Sequence, residues 1–400
     1  MKPLEHQLKA AEQAFSILCN NGYVYINGQP RSGKTLTAIL VAEKVKGKCL
    51  VLTKKQAIPG WDKFIKTREQ DKFKVINYEQ LGKINGRSVE FKENPKWYSL
   101  VIIDESHNIG AYPKPSSRQK LIKIFCSELP HIHLSGTPVI ESANAIYHQM
   151  NLGAYSPFKY PTFYDFFKVY GIPNNIWIRG QSIPQYNEFK PELLDKIKAF
   201  TVYMSQADAG ITTEVEDKIH YITLNSTTRN LYNTLYKKRV LEYGNIYYVA
   251  DSIMKLRTGL HQLEGGTLKV DSDYKILDCS NEKIEYIYNN FENSEETGIM
   301  CHYVAEQTKI RKFLSHVQIF SSTAHAEGVD LSHLKNFIIY SSDYSGARFV
   351  QRRDRIVNIN GSNTTTVHHL LVPNGISEEV YNCVSAKRDF NNDTFRGGLL

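Results

Sequence analysis

Two glycines, a lysine and a threonine, Gly28, Gly33, Lys34 and Thr35, recur in "YINGQPRSGKTLTA" at the spacing G-x-x-x-x-G-K-[ST]. The apolar "YVYI" precedes this stretch, and "LTAILVAEKV" follows with apolar residues at helical intervals, so the loop is expected between a strand and a helix. Glycines there let backbone N–H groups wrap a phosphate, and the helix N-terminus adds partial positive charge. Lys34 is expected to reach the β- and γ-phosphates and Thr35 to offer its hydroxyl to magnesium, which points to a bound nucleoside triphosphate. Hydrolysis also needs a second magnesium anchor and a group to activate water. The stretch "SLVIIDESHN" supplies both: Leu100 to Ile103 form an apolar strand that runs straight into Asp104 and Glu105. Carboxylates at that position are expensive unless a cation or a proton uses them. Asp104 is therefore expected to hold magnesium through water, with Glu105 as general base. A third apolar stretch, "HIHLSGTP", ends in the hydroxyls Ser135 and Thr137. Its His131 and His133 alternate with apolar residues and read as strand-face side chains rather than metal ligands.

The elements that must position these residues follow from the same patterning. Apolar strands alternate with amphipathic helical stretches in both halves, the signature of α/β units with parallel sheets. At 400 residues the chain is long enough for two or three domains. With 42% hydrophobic and 22% charged residues it reads as a soluble globular protein and not as a disordered one. The N-terminus lacks the pattern of a signal peptide, and no run approaches roughly 18 uncharged apolar residues, so no membrane span is expected. Six dispersed cysteines without a CxxC pair read as buried, reduced thiols in a cytoplasmic protein, with neither zinc nor redox chemistry. Forty-nine Lys and Arg against 41 Asp and Glu leave a formal charge of +8, which favours a polyanionic partner. The stretch "SPFKYPTFYDFFKVYGIPNNIWIRG" is dense in aromatics, most of which read as the core of a small insertion.

The order of phosphate loop, "DESH" and "SGTP" resembles motifs I, II and III of superfamily 2 helicases and translocases. "PLEHQLKA" resembles the glutamine motif that reads adenine, nominating Gln7, and "VLTKKQAIPGW" resembles motif Ia, in which Thr53 would touch a nucleic-acid backbone. "FKVINYEQL" is similar to the next block of the same lobe, and "GIMCHYVAEQTKIRKFL" to motif IV. "SSTAHAEGVDLSHLKNFIIY" resembles motif V, with Ser322, Thr323, Gly328 and Asp330 at the matching places, and "FVQRRDRI" resembles motif VI, with Gln351 and Arg355. Together with "DESH", the tail "HHLLVPNGISEEVYNCVSAKRDF" is similar to the Swi/Snf-like branch, in the compact form of phage-encoded helicases. One departure stands out: Asn358 occupies the place of a second motif VI arginine, so Arg352 and Arg353 remain alternatives to Arg355 as arginine finger.

The resemblance implies an α/β fold of two RecA-like lobes, residues 1–150 and 271–400, with a helical insertion at 151–270. It implies ATP and Mg2+ as cofactors, ATP lying in the cleft between the lobes and held by Gln7, Gly28, Gly33, Lys34, Thr35 and Asp104, with Gly328, Asp330, Gln351 and Arg355 from the second lobe. His107, Ser135 and Thr137 would couple the nucleotide to the nucleic acid, which Thr53, Ser322 and Thr323 would contact. The implied activity is that of an ATP-dependent DNA helicase or translocase acting on branched or forked DNA in replication, recombination or repair. An RNA helicase, and an ATP-gated binding module without turnover, are the alternatives.

Overall fold

The computed structural model describes residues 2–68, 70–86, 88–136, 142–178, 181–210, 216–270, 273–322, 331, 333–346, 349, 365–386, 389–391, 394–398 and 400. The chain divides into two compact units, residues 1–210 and 211–400. The first unit contains α1 (Glu5–Asn21), β1 (Tyr23–Gly28), α2 (Lys34–Lys44), β2 (Cys49–Thr53), α3 (Ile58–Ile65) and β3 (Phe73–Asn77). A hairpin of β4 (Gly82–Asn85) and β5 (Ser88–Phe91) comes next, then β6 (Leu100–Asp104), α4 (Ser117–Phe125), β7 (His131–Ser135), α5 (Ile146–Met150) and α6 (Phe163–Tyr170). The hairpin β8 (Asn174–Ile178) with β9 (Gln181–Gln185), α7 (Glu192–Lys198) and β10 (Thr201–Met204) complete it.

Six of these strands form one parallel sheet in the order β10-β1-β7-β6-β2-β3 among the described residues. Every residue of β2, β6 and β7 is buried, as expected where helices cover both faces of a parallel sheet. On one face Val24, Ile26, Val51, Ile102 and Ile132 pack with Ala10, Ala14, Ile39 and Trp61 of the helices. On the other, Leu50, Leu52, Val101 and Ile103 pack with Ile122 and Phe125 of α4. Helix α1 ends at Gly22, whose left-handed conformation (φ +76°) turns its N–H onto the Leu18 carbonyl at 2.7 Å. The aromatics after residue 150 are core: Phe158, Phe163, Phe166 and Phe200 pack with Tyr25, Tyr147 and Met150.

The second unit runs β11 (Glu216–Tyr221), α8 (Ser226–Lys238), the hairpin β12 (Val240–Tyr243) with β13 (Ile246–Val249), α9 (Ile253–Glu264), and the hairpin β14 (Thr267–Val270) with β15 (Asp273–Ile276). It continues through α10 (Glu282–Asn290), β16 (Thr297–Cys301), α11 (Val304–Phe313), β17 (Gln318–Ser321), β18 (Asn336–Ile339), β19 (Thr366–Leu371) and α12 (Ile376–Ser385). Its sheet is also parallel, in the order β11-β19-β18-β16-β17. A separate cluster joins α8, α9 and α12 through Leu235, Leu260, Ile376 and Val380. The buried Glu264 carboxylate accepts the N–H groups of Ile376 at 2.7 Å and Ser377 at 3.1 Å, capping α12 from the end of α9.

Two parallel α/β lobes are thus present as expected, but the segment 151–270 is not a unit of its own. Hydrogen bonding decides its division. Strand β10 pairs with β1 in the first sheet, and β11 pairs with β19 in the second, so the segment is shared between the units and holds strands as well as helices. The cysteines also differ from expectation: Cys49, Cys126, Cys301 and Cys383 are buried, whereas Cys279 is half-buried and Cys19, on the outer side of α1, is exposed. No described helix is long and apolar enough to cross a membrane.

Phe166 is fully buried among rings, while Tyr164 two residues earlier is 44% exposed. Phe166→Ala is expected to destabilise the first unit by about 3–5 kcal/mol and Tyr164→Ala by less than about 0.5 kcal/mol, read by urea unfolding. Equal losses would contradict the packing described.

Candidate active site

The loop that follows β1 turns back through two positive backbone angles, Arg31 at φ +66° and Gly33 at φ +90°, before α2 begins at Lys34. A side chain at Gly33 is excluded twice, by that angle and by Gln7, whose Nε2 lies 2.0 Å from where a Cβ would stand. A Cβ at Gly28 would stand 2.7 Å from Ser32 Oγ. At both motif glycines the space of a side chain is therefore taken by a neighbour, Gln7 at Gly33 and Ser32 at Gly28. Gln7 itself is buried, and its Oε1 accepts the Leu4 N–H at 3.0 Å, while His6 Nε2 donates to the Ser32 carbonyl at 2.9 Å. The start of α1 is in this way fastened to the phosphate loop. The turn after β10 braces it from the other side: Gln206 Nε2 donates to the Pro30 carbonyl at 3.1 Å, and its backbone N–H donates to Gln29 Oε1 at 2.7 Å.

Strand β6 delivers Asp104 and Glu105 beside this loop. Lys34 Nζ lies 3.5 Å from Glu105 Oε1, and Glu105 adopts a left-handed conformation (φ +51°) that few non-glycine residues take. His107 Nδ1 lies 3.3 Å from Glu105 Oε2 and 3.1 Å from Ser135 Oγ at the end of β7. The next residue, Gly136, closes the third side: a Cβ there would stand 3.3 Å from the Gly28 carbonyl and 3.6 Å from Lys34 Nζ. Lys34, Glu105, His107 and Ser135 thus stand together although their motifs lie far apart in sequence.

Asp104 is held by more partners than its motif suggests. Its Oδ2 accepts the Thr53 hydroxyl at 2.8 Å and the Trp61 indole N–H at 2.9 Å, and its Oδ1 accepts the Glu105 N–H at 3.0 Å. Its carbonyl accepts the Tyr78 hydroxyl. Burial, and next the charge of Glu105, push the Asp104 carboxyl above its ordinary value, against the pull of Lys34, Trp61 and Thr53. Behind the carboxylates, Tyr25 of β1 donates to Gln149 Oε1 of α5 at 2.8 Å and meets Ser106 Oγ at 2.7 Å. Tyr25, Trp61, Gln149 and Gln206 were not evident from the motifs, because each reaches the site through a contact between distant segments.

Two residues nominated as nucleic-acid contacts, Thr53 and Ser322, are buried. Thr53 is fully buried and its hydroxyl donates to Asp104 Oδ2, one residue beyond the Leu52–Ile103 pair of β2 and β6. Ser322 is also fully buried and shares a 2.8 Å hydrogen bond with His302 Nδ1. Neither side chain faces outward. Thr137, Thr323, Gly328, Asp330, Gln351 and Arg355, with Arg352 and Arg353, lie outside the described residues. His131 and His133 are buried in β7 beside the rings of Tyr23 and Tyr25, and burial lowers His131 to about 4.

The residues present fit a triphosphate with magnesium. The loop contains Ser32 Oγ, buried and without a partner among the described residues, as a polar atom awaiting a ligand. Magnesium keeps waters and phosphate oxygens and takes few protein ligands, so Thr35, second residue of α2, could bind it directly and Asp104 through one of its waters. Among the described residues no group of three or more His, Cys, Asp and Glu forms a metal cage of its own.

No family model matches this chain, and no curated protein does. The solved structures similar to it along nearly its whole length include two from one organism. One is the Sulfolobus solfataricus SWI2/SNF2 ATPase core in complex with dsDNA, at 16% identity and a TM-score of 0.42, covering 96% of this chain and 91% of that one. The other is the Sulfolobus solfataricus SWI2/SNF2 ATPase core domain, at 15% identity and a TM-score of 0.44, covering 100% and 91%.

In the second unit, Ser322 belongs to a polar chain at the strand ends. The His302 N–H donates to Ser341 Oγ at 2.7 Å, and both the Ser341 hydroxyl and the Tyr303 N–H, the latter at 3.2 Å, donate to Glu306 Oε2. Burial pushes Glu306 up from 4.5 to about 7. A carboxyl raised on folding stabilises the protein below its unfolded value, and that contribution is lost as pH rises through the folded one. Glu306→Gln removes this loss, so its stability relative to the unsubstituted chain is expected to rise by about 1–3 kcal/mol between pH 4.5 and 7.5 in urea titrations. Parallel pH profiles would contradict it. In the first unit, Tyr25→Phe deprives buried Gln149 of a donor and is expected to cost about 1–3 kcal/mol, whereas an unchanged unfolding midpoint would contradict the network.

Proposed function

We propose that this chain is a nucleic-acid-stimulated ATPase of the Swi/Snf-like branch of superfamily 2, a motor that moves on DNA at the expense of ATP. The observation that carries the reading is the convergence of Lys34, Asp104 and Glu105 beside the loop of Gly28 and Gly33. Backbone N–H groups of that loop and the α2 N-terminus bind the phosphates, and Lys34 neutralises the terminal ones. Thr35 and Asp104 hold magnesium, which when bound screens the charge of the phosphate oxygens. Glu105 takes the proton of the attacking water, and its strained backbone holds the carboxylate where Lys34 and His107 also reach. Gln7 reads adenine from beside the loop. Arg355 engages the terminal phosphate, with Arg352 and Arg353 as alternatives, and Gly328, Asp330 and Gln351 complete the nucleotide contacts.

The link from Glu105 through His107 to Ser135 supports coupling, because it ties the hydrolytic carboxylate to the strand end that precedes Thr137. A change at the terminal phosphate then reaches the segment after β7 without crossing the sheet. The formal charge of +8 favours a polyanionic partner, and the resemblance of "DESH" and the tail "HHLLVPNGISEEVYNCVSAKRDF" to the Swi/Snf-like branch favours DNA as that polymer. Unwinding of branched or forked DNA in replication, recombination or repair is the narrower form of the proposal.

ATP hydrolysis is to be measured alone and with single-stranded, duplex and forked DNA and with RNA at equal salt. The expected result is strong stimulation by DNA, greatest with forks, and loss of turnover by at least about 10²-fold in Lys34→Ala. Equal or greater stimulation by RNA would replace the polymer, and turnover indifferent to every nucleic acid would overturn the motor.

A further inference from the structure

We infer that Thr53 and Trp61 are positioning residues for the magnesium anchor: they fix the Asp104 carboxylate so that it meets the metal in one orientation. The inference rests on the nucleotide-binding reading above and deepens it. Thr53 ends β2 and Trp61 lies in α3, so the two donors come from different elements, yet both give their proton to the same oxygen, Oδ2, at 2.8 and 2.9 Å. Thr53 is 0% and Trp61 2% exposed, so neither bond competes with water. The other oxygen, Oδ1, accepts only a backbone N–H from the adjoining Glu105 among the bonds described. The carboxylate is thereby restrained in rotation with its two oxygens distinguished.

The chemistry of the donors matters as much as their direction. A buried carboxylate must be stabilised in its charged form, and a lysine or arginine would do so. A cation bonded to Asp104 would, however, repel a divalent ion at the same group. Hydroxyl and indole N–H donors stabilise the anion without adding a charge, and Lys34, whose charge also favours the Asp104 anion, makes its ion pair with Glu105. Partners that orient a ligating carboxylate commonly govern metal affinity by about 10–100-fold.

The test uses the full chain and a fluorescent ATP analogue titrated with and without Mg2+, with the thermal unfolding midpoint recorded for each variant. Thr53→Val keeps the shape of the side chain and removes the donor, Thr53→Ser restores it, and Trp61→Phe keeps an aromatic ring without its N–H. In Thr53→Val and Trp61→Phe the affinity without Mg2+ is expected to stay within about twofold, while the gain conferred by Mg2+ falls by about tenfold; Thr53→Ser is expected to recover that gain. Mg2+ dependence kept in full by both donor-free variants would overturn the positioning role alone. Equal loss of affinity with and without Mg2+ would also overturn it, since that marks a merely structural contribution. A wild-type chain that does not bind the analogue would overturn the nucleotide reading, and this inference with it.

Discussion

A buried carboxyl group at the end of an otherwise apolar strand is the arrangement on which the first unit depends. Asp104 concludes β6 after four buried apolar residues, and its burial would be prohibitive without compensation. The compensation is spread over the structure: Thr53 from the neighbouring strand, Trp61 from α3, the Glu105 N–H, and the Tyr78 hydroxyl on its carbonyl. Such a group ties β2, β6 and α3 together in addition to their apolar packing. It also holds negative charge close to Lys34, which pairs with the adjoining Glu105 at 3.5 Å.

The phosphate loop is subject to a complementary constraint. Its backbone must stay uncovered, so glycine is required at Gly33, where the angle is left-handed and Gln7 fills the side-chain space. Neighbours support the loop: His6 from α1 on the Ser32 carbonyl, and Gln206 after β10 on Gln29 and Pro30. The parallel order β10-β1-β7-β6 brings these supports, Ser135 and the two carboxylates to the same ends of adjacent strands, where ligands of α/β sheets bind.

The parts of the site legible in the sequence were those written into a short contiguous stretch. Spacing alone revealed Gly28, Gly33, Lys34 and Thr35, and an apolar run ending in two acids revealed Asp104 and Glu105. Thr53 shows the limit of such reading: the likeness to motif Ia pointed it at a nucleic acid, but whether its hydroxyl faced inward depended on its neighbour across the sheet. Tyr25, Trp61 and Gln149 look like ordinary core residues in sequence, since their partners lie 81, 43 and 124 positions away. The division of 151–270 failed to show for a related reason. Strand β10 has four residues, and it becomes recognisable only when β1 offers an edge for it to pair with.

The claim that Glu105 activates water while Lys34, Thr35 and Asp104 bind the triphosphate is tested most directly by separating affinity from turnover in Glu105→Gln. The substitution preserves size and removes the base, so nucleotide affinity measured with Mg2+ is expected to stay within about threefold while single-turnover hydrolysis slows by on the order of 10²–10⁴-fold. Hydrolysis at the unsubstituted rate, or affinity and hydrolysis lost together, would contradict this assignment of roles.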